Sequence, residues 1–122
     1  MSSKTMFQAQ SYVLTIFGLG TLVIPEIFWG IFGISFEAVA LLFARLAGSL
    51  VVGNALLSYR MRGIEDAKSH RELAKKFLFE WSATLVIFIL AQSDGLFNAL
   101  GWSNVGLILL FVVGWSLALR KS

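Results

Sequence analysis

Residues 36–63 read FEAVALLFARLAGSLVVGNALLSYRMRG, and Arg45, the arginine inside this apolar run, is the residue that any fold must accommodate. The run is about as long as a bilayer is thick. A charged side chain well inside hydrocarbon costs about 2.5 to 3.5 kcal/mol on insertion scales, so Arg45 needs a partner, water or an escape to the interface. The stretch predicts a membrane helix over about 37–60. Glu37 at its start and Arg60 and Arg62 at its end both suit the helix dipole. Ala44 with Gly48, and Ser49 with Gly53, form small-xxx-small pairs suited to close helix packing.

Working outward, Ser11 to Gly33 carries an earlier apolar run, SYVLTIFGLGTLVIPEIFWGIFG, which predicts a first helix over about 11–33. Pro25 within it cannot donate to the Thr21 carbonyl, so a kink or early end is expected there. Gly18 and Gly20 thin the preceding turns and permit close helix approach. Residues 1–10 read as a polar tail. After the central run comes RMRGIEDAKSHRELAKK, residues 60–76, the most highly charged segment of the chain and expected as a solvated loop. A third helix follows over about 72–92 and carries Glu80 inside its apolar part. Ser93, Asp94 and Gly95 mark a turn, and a fourth helix over about 103–119 stops at Arg120 and Lys121.

Composition sets the class. The chain has 122 residues, 57% of them hydrophobic, with a mean hydropathy of +0.80; ordinary soluble domains lie near 45 to 50% apolar. The expectation is therefore an all-α, integral membrane four-helix bundle formed as one domain. Without cysteines, the chain has no disulfide, thiolate metal site or thiol nucleophile. A net charge of +3 does not signal nucleic acid, because the cations lie between apolar runs rather than along one amphipathic face. Lys4, the cations of residues 60–76, and Arg120 with Lys121 fall on alternate connections, which predicts both termini on the cytoplasmic side.

Glu26, Arg45, Asn54 and Glu80 are the polar side chains within these spans that need explaining. Glu26 lies about six residues short of the far end of the first helix, roughly 9 Å deep, and Arg45 about eight residues into the second, roughly 12 Å deep. Similar depths on antiparallel helices suggest a Glu26–Arg45 ion pair. The same arithmetic pairs Asn54 with Glu80. Arg45 and Asn54 are half a turn apart in direction, which places the second helix between the first and third. Such pairs commonly fix helix register, while intramembrane ionisable groups are also candidates for ligand or proton binding. His70, the only histidine, falls in the charged segment and reads as a surface residue. Neither a metal-ligand spacing nor a catalytic constellation stands out, so no catalytic or metal site is assigned and no cofactor is implied.

Three motifs carry a resemblance: PEIFWGIFGIS at 25–35, ARLAGSLVVGNALLSYRMR at 44–62 and ALGWSNVGLILL at 99–110. Together they resemble the small bacterial four-helix membrane proteins loosely grouped as DoxX-like. The resemblance covers most of the chain. It implies a multi-pass bundle in the bacterial inner membrane, associated with a respiratory or redox membrane complex. Small multidrug resistance transporters have similar length and span number, but Glu26 here follows a proline and lies near the far end of its helix. The expected function is a non-enzymatic accessory or scaffolding subunit of a larger membrane assembly. The alternative is a transporter or binder of a hydrophobic ligand, such as a quinone, lipid or pigment, through Glu26, Arg45 and Glu80. The expected partners are the bilayer and other membrane subunits or further copies of the chain.

Overall fold

The computed structural model describes residues 2–121 and is all-helical. Its elements are α1 (Ser3–Val23), α2 (Pro25–Gly30), α3 (Ala38–Met61), α4 (Ala67–Ser93) and α5 (Gly101–Lys121). Five helices replace the expected four because the first run breaks. The residue before a proline is pushed out of the α region, and Ile24 adopts φ −130° and ψ 53°. The Trp29 indole nitrogen then donates to Thr21 Oγ1 at 2.8 Å. Eight residues along a straight helix are about 12 Å apart, so α2 must fold back over the end of α1.

Two boundaries move because of caps. The hydroxyl of Ser2 accepts from the Thr5 amide at 3.2 Å, and α1 begins there, well before residue 11. The expected polar tail is a helix whose Met6, Phe7 and Gln10 are buried. Likewise Asp66 accepts from the amides of Lys68 and Ser69, starting α4 before residue 72. Much of the expected charged loop is thus the first turns of α4, with Ala74 and Phe77 packed inward and Lys68, Arg71, Glu72 and Lys75 exposed.

The expected order of helices is also corrected. The central helix is α1, which packs along α3 on one side and touches α5 and α4 on the other, while α4 and α5 form a second pair. Small residues explain the close α1–α3 crossing. A Cβ added at Gly48 would lie 2.6 Å from the Leu22 backbone nitrogen, and one at Gly18 would lie 2.9 Å from that of Val52. Gly53, by contrast, faces open space.

Phe7 packs edge-on against His70 and Trp115, with ring centroids 5.0 Å away in each case. This contact gathers the start of α1, the α3–α4 turn and the end of α5 at one end of the bundle, here termed the basic end. The other two connections meet at the opposite end. There the Asn98 backbone amide donates to the Phe32 carbonyl at 2.9 Å, and its Nδ2 donates to the Ile31 carbonyl at 3.0 Å. Gly33 makes that turn possible, since its φ of +85° lies in the left-handed region and a Cβ there would crowd Asn98.

Among the described residues three helices, α1, α3 and α5, are long and apolar enough to cross a membrane. Their outward faces bear large exposed apolar side chains, Leu50 at 72% among them. α4 is not in that set, and its residues 67–76 are rich in charge. Beyond Phe77 it too exposes apolar groups, including Phe79, Val86, Ile87 and Leu90.

Candidate functional site: a cavity between two helix pairs

The four polar residues expected to pair do so unequally. Glu26 and Arg45 are both exposed, and the ion pairs among the described residues are Lys75–Glu72 and Lys76–Glu80. The expected Glu26–Arg45 bridge is therefore absent. Its depth estimate assumed a continuous first helix, and the break at Ile24 carries Glu26 onto the folded-back α2. Asn54 and Glu80 do meet: Asn54 Nδ2 donates to Glu80 Oε2 at 3.5 Å, a long contact. The stronger partner of Glu80 is Lys76, whose Nζ sits 2.7 Å from Oε1 and 3.5 Å from Asn54 Oδ1. Lys76 falls where the expected charged segment overlaps the expected third helix, and its i,i+4 spacing to Glu80 is the signal that pairs them.

A polar hub escaped the sequence reading altogether. Gln10, 0% exposed, accepts at Oε1 from the indole nitrogens of Trp81 and Trp115, each at 2.7 Å. Its Nε2 donates to Ser58 Oγ at 2.9 Å, and the Ser58 hydroxyl in turn donates to the Asn54 carbonyl at 2.8 Å. One amide thereby joins α1, α3, α4 and α5. Buried indole and amide groups require partners of this kind. The signal lay in the spacing of Met6, Phe7, Gln10 and Ser11, one helical face directly after a serine cap.

His70 is half-buried rather than a free surface residue. Its Nε2 contacts the carbonyl oxygens of Met61, at 3.1 Å, and of Ile64. It thus closes the C-terminal end of α3, where helix carbonyls lack intrahelical donors. Among the described residues no cluster of His, Asp and Glu is disposed to hold a metal ion.

Between the two helix pairs lies a cavity of about 280 Å³. Val13, Leu14 and Phe17 of α1 form one wall and Leu107 and Ile108 of α5 another; Ala47 and Val51 of α3 stand opposite Thr84 and Phe88 of α4. Trp29 covers the end nearer α2, and Phe77 and Trp81 floor the end nearer the hub. Into this apolar space come few polar groups: Thr21, Asn54, Glu80, Thr84 and Asn104. Most are already engaged. Thr21 receives the Trp29 proton, Thr84 donates to the Glu80 carbonyl at 2.7 Å, and the Asn54, Glu80 and Lys76 side chains hold one another. Asn104 is the exception: it is 3% exposed, and its Nδ2 has no hydrogen-bond partner. Apolar walls with a few convergent polar groups are the usual chemistry of a small-molecule pocket.

Compared with known proteins, the chain matches no protein family, no curated protein and no solved structure.

Proposed function

We propose that the protein is a four-span bacterial inner-membrane protein that binds a small hydrophobic ligand in the cavity between its helix pairs. Supporting the fourth span is the apolar exterior of α4 beyond Phe77. Charge supports the orientation. Lys4, Arg60, Arg62, Lys68, Arg71, Lys75, Lys76, Arg120 and Lys121 all lie toward the basic end, so the positive-inside rule puts that end, with both termini, in the cytoplasm. The motifs at 25–35, 44–62 and 99–110 favour a place among the DoxX-like proteins.

The single observation that carries ligand binding is the 280 Å³ apolar-walled cavity lined by Asn54, Glu80 and Asn104. It is reached between α3 and α4, where Ala47 lines the cavity and is also exposed. Purification into nanodiscs followed by solvent extraction and mass spectrometry tests this directly. One apolar small molecule enriched per chain, beyond the bulk lipid, is the expected result; an extract matching that of empty nanodiscs contradicts it.

A second role as an accessory subunit is favoured by Glu26 and Arg45, exposed and outside the ion pairs among the described residues. Charged groups on an apolar exterior call for a partner. Extraction in mild detergent should then yield a stoichiometric complex with other subunits, and a lone chain would refute that role.

A further inference from the structure

We infer that the chain forms a two-fold symmetric dimer in the bilayer, in which Arg45 of each copy pairs with Glu26 of the other. The inference is independent of the cavity. It shares with the accessory role the premise that these two charges need a partner, and it names that partner as a second copy of the chain.

The register of α1 against α3 brings the two charges to one level. A Cβ at Gly18 would meet Val52, and one at Gly48 would meet Leu22, so in this antiparallel pair Arg45 stands level with Pro25. Glu26 follows directly, at the foot of α2, and α2 packs against α3 as well as α1. Both charges are exposed, and so are the apolar Val23, Ile27, Leu42 and Leu46 that flank them in the chain. A two-fold axis along the bilayer normal keeps every residue at its own depth, and each contact across it occurs twice. Opposite charges at one depth are therefore self-complementary: the dimer forms the bridge twice and leaves neither charge facing lipid. A partner presenting one sign would satisfy one of the two and oppose the other.

α3 also offers a line of contact below Arg45. Ser49 and Gly53 follow it at i+4 and i+8, along one stripe of the helix. Gly48, in the other small-residue pair of this helix, packs against α1, whereas a Cβ at Gly53 would meet nothing and Ser49 is exposed. The Ser49 hydroxyl donates to the Leu46 carbonyl at 2.7 Å, so it enters a helix contact without stranding a donor. Small side chains there let a second α3 approach closely.

Charge exchange tests this, read as energy transfer between donor-tagged and acceptor-tagged chains in liposomes at increasing lipid dilution. Wild-type chains should dimerise. Glu26→Arg alone and Arg45→Glu alone should each weaken dimerisation about tenfold or more, because each sets like charges face to face twice. A mixture of the two variants should regain wild-type energy transfer, since each supplies the sign that the other lacks. A second measurement does not depend on charge reversal. The chain has no cysteine, so Glu26→Cys in one copy and Arg45→Cys in the other provide the only thiols and leave the reciprocal bridge intact. An oxidative cross-link should join them, well above that between Glu26→Cys and Leu110→Cys on the exposed side of α5. The inference is overturned if wild type stays monomeric, if either charge reversal dimerises undiminished, or if the cross-link only equals that to Leu110→Cys. It is also overturned if the double variant Glu26→Arg with Arg45→Glu dimerises while the mixture does not, which would place the ion pair within one chain. Each of these results leaves the cavity standing as a ligand site.

Discussion

The basic end and the middle of the bundle solve the same problem in opposite ways. Both place polar side chains among aromatic rings. At the basic end Gln10 serves Trp81, Trp115 and Ser58 at 2.7 to 2.9 Å, and Met6, Phe7, Ala74, Phe77, Phe111 and Trp115 close around it as the buried core. Toward the opposite end, Asn104 of α5 is 3% exposed and lines the cavity, and its amide nitrogen, closed to solvent, has no partner. A satisfied network rigidifies, whereas an apolar cavity between helix pairs leaves room that something else can fill. The contrast separates what holds the helices together from what the bundle holds.

The largest expected effect is at the hub. Gln10→Leu removes the acceptor shared by two buried indoles, and each stranded donor costs about 1 to 3 kcal/mol, so a sharply lowered unfolding midpoint in detergent titration is expected. A midpoint within error of wild type would mean that Gln10 does not bind the helix pairs together. Next comes the α1–α3 crossing. Gly48→Val puts carbon where the Leu22 backbone stands 2.6 Å away and should destabilise by about 1 to 3 kcal/mol, while Gly53→Ala, facing open space, should be neutral or slightly stabilising. Equal losses from both would break the assigned helix faces.

Asn104→Leu should have the opposite sign to Gln10→Leu. Removing an unsatisfied amide leaves stability unchanged or raised by up to about 1 kcal/mol, and a loss as large as that of the hub variant would show Asn104 to be structural. The smallest effect is at the start of α4, outside the membrane. The Ser69 hydroxyl at 2.8 Å, aided by the Ser69 and Lys68 amides, holds the Asp66 carboxyl below its ordinary value. A depressed folded value means that the cap contributes fully above the ordinary carboxylate range and is lost only as pH falls through the lower, folded value. The Ser69 amide resonance should stay constant on acidification to the ordinary carboxylate range and move below it; movement already near neutrality would contradict the cap.

Much of this architecture is written plainly in the chain. Hydropathy locates the apolar helices, and Glu80 with Asn54 was found from depth alone, because helices α3 and α4 run unbroken through that level. Glu26 with Arg45 was misjudged for the complementary reason: Ile24–Pro25 ends α1, and depth measured along a broken helix has no meaning. Gln10 lay hidden in an apparently polar tail, since low hydropathy there masked a cap at Ser2 and a buried face. The extension of α4 was obscured by charge on its solvent side, although Leu73, Ala74 and Phe77 carry an inward stripe. Asn104 was passed over because one amide in an apolar helix looks ordinary until its surroundings are known. Cavities arise from how helix pairs diverge, a property of tertiary geometry that no local pattern encodes.

The separation of scaffold from site is tested most directly by Ala47→Phe, which fills the cavity from its exposed lip without touching the hub. On a single nanodisc preparation, photolabelling by benzophenone, a neutral apolar probe that labels nearby C–H bonds on illumination, and the unfolding midpoint are measured together. The expected result is loss of cavity labelling with the midpoint unchanged or raised. Labelling that persists at wild-type level in the folded variant would contradict a ligand site between the helix pairs.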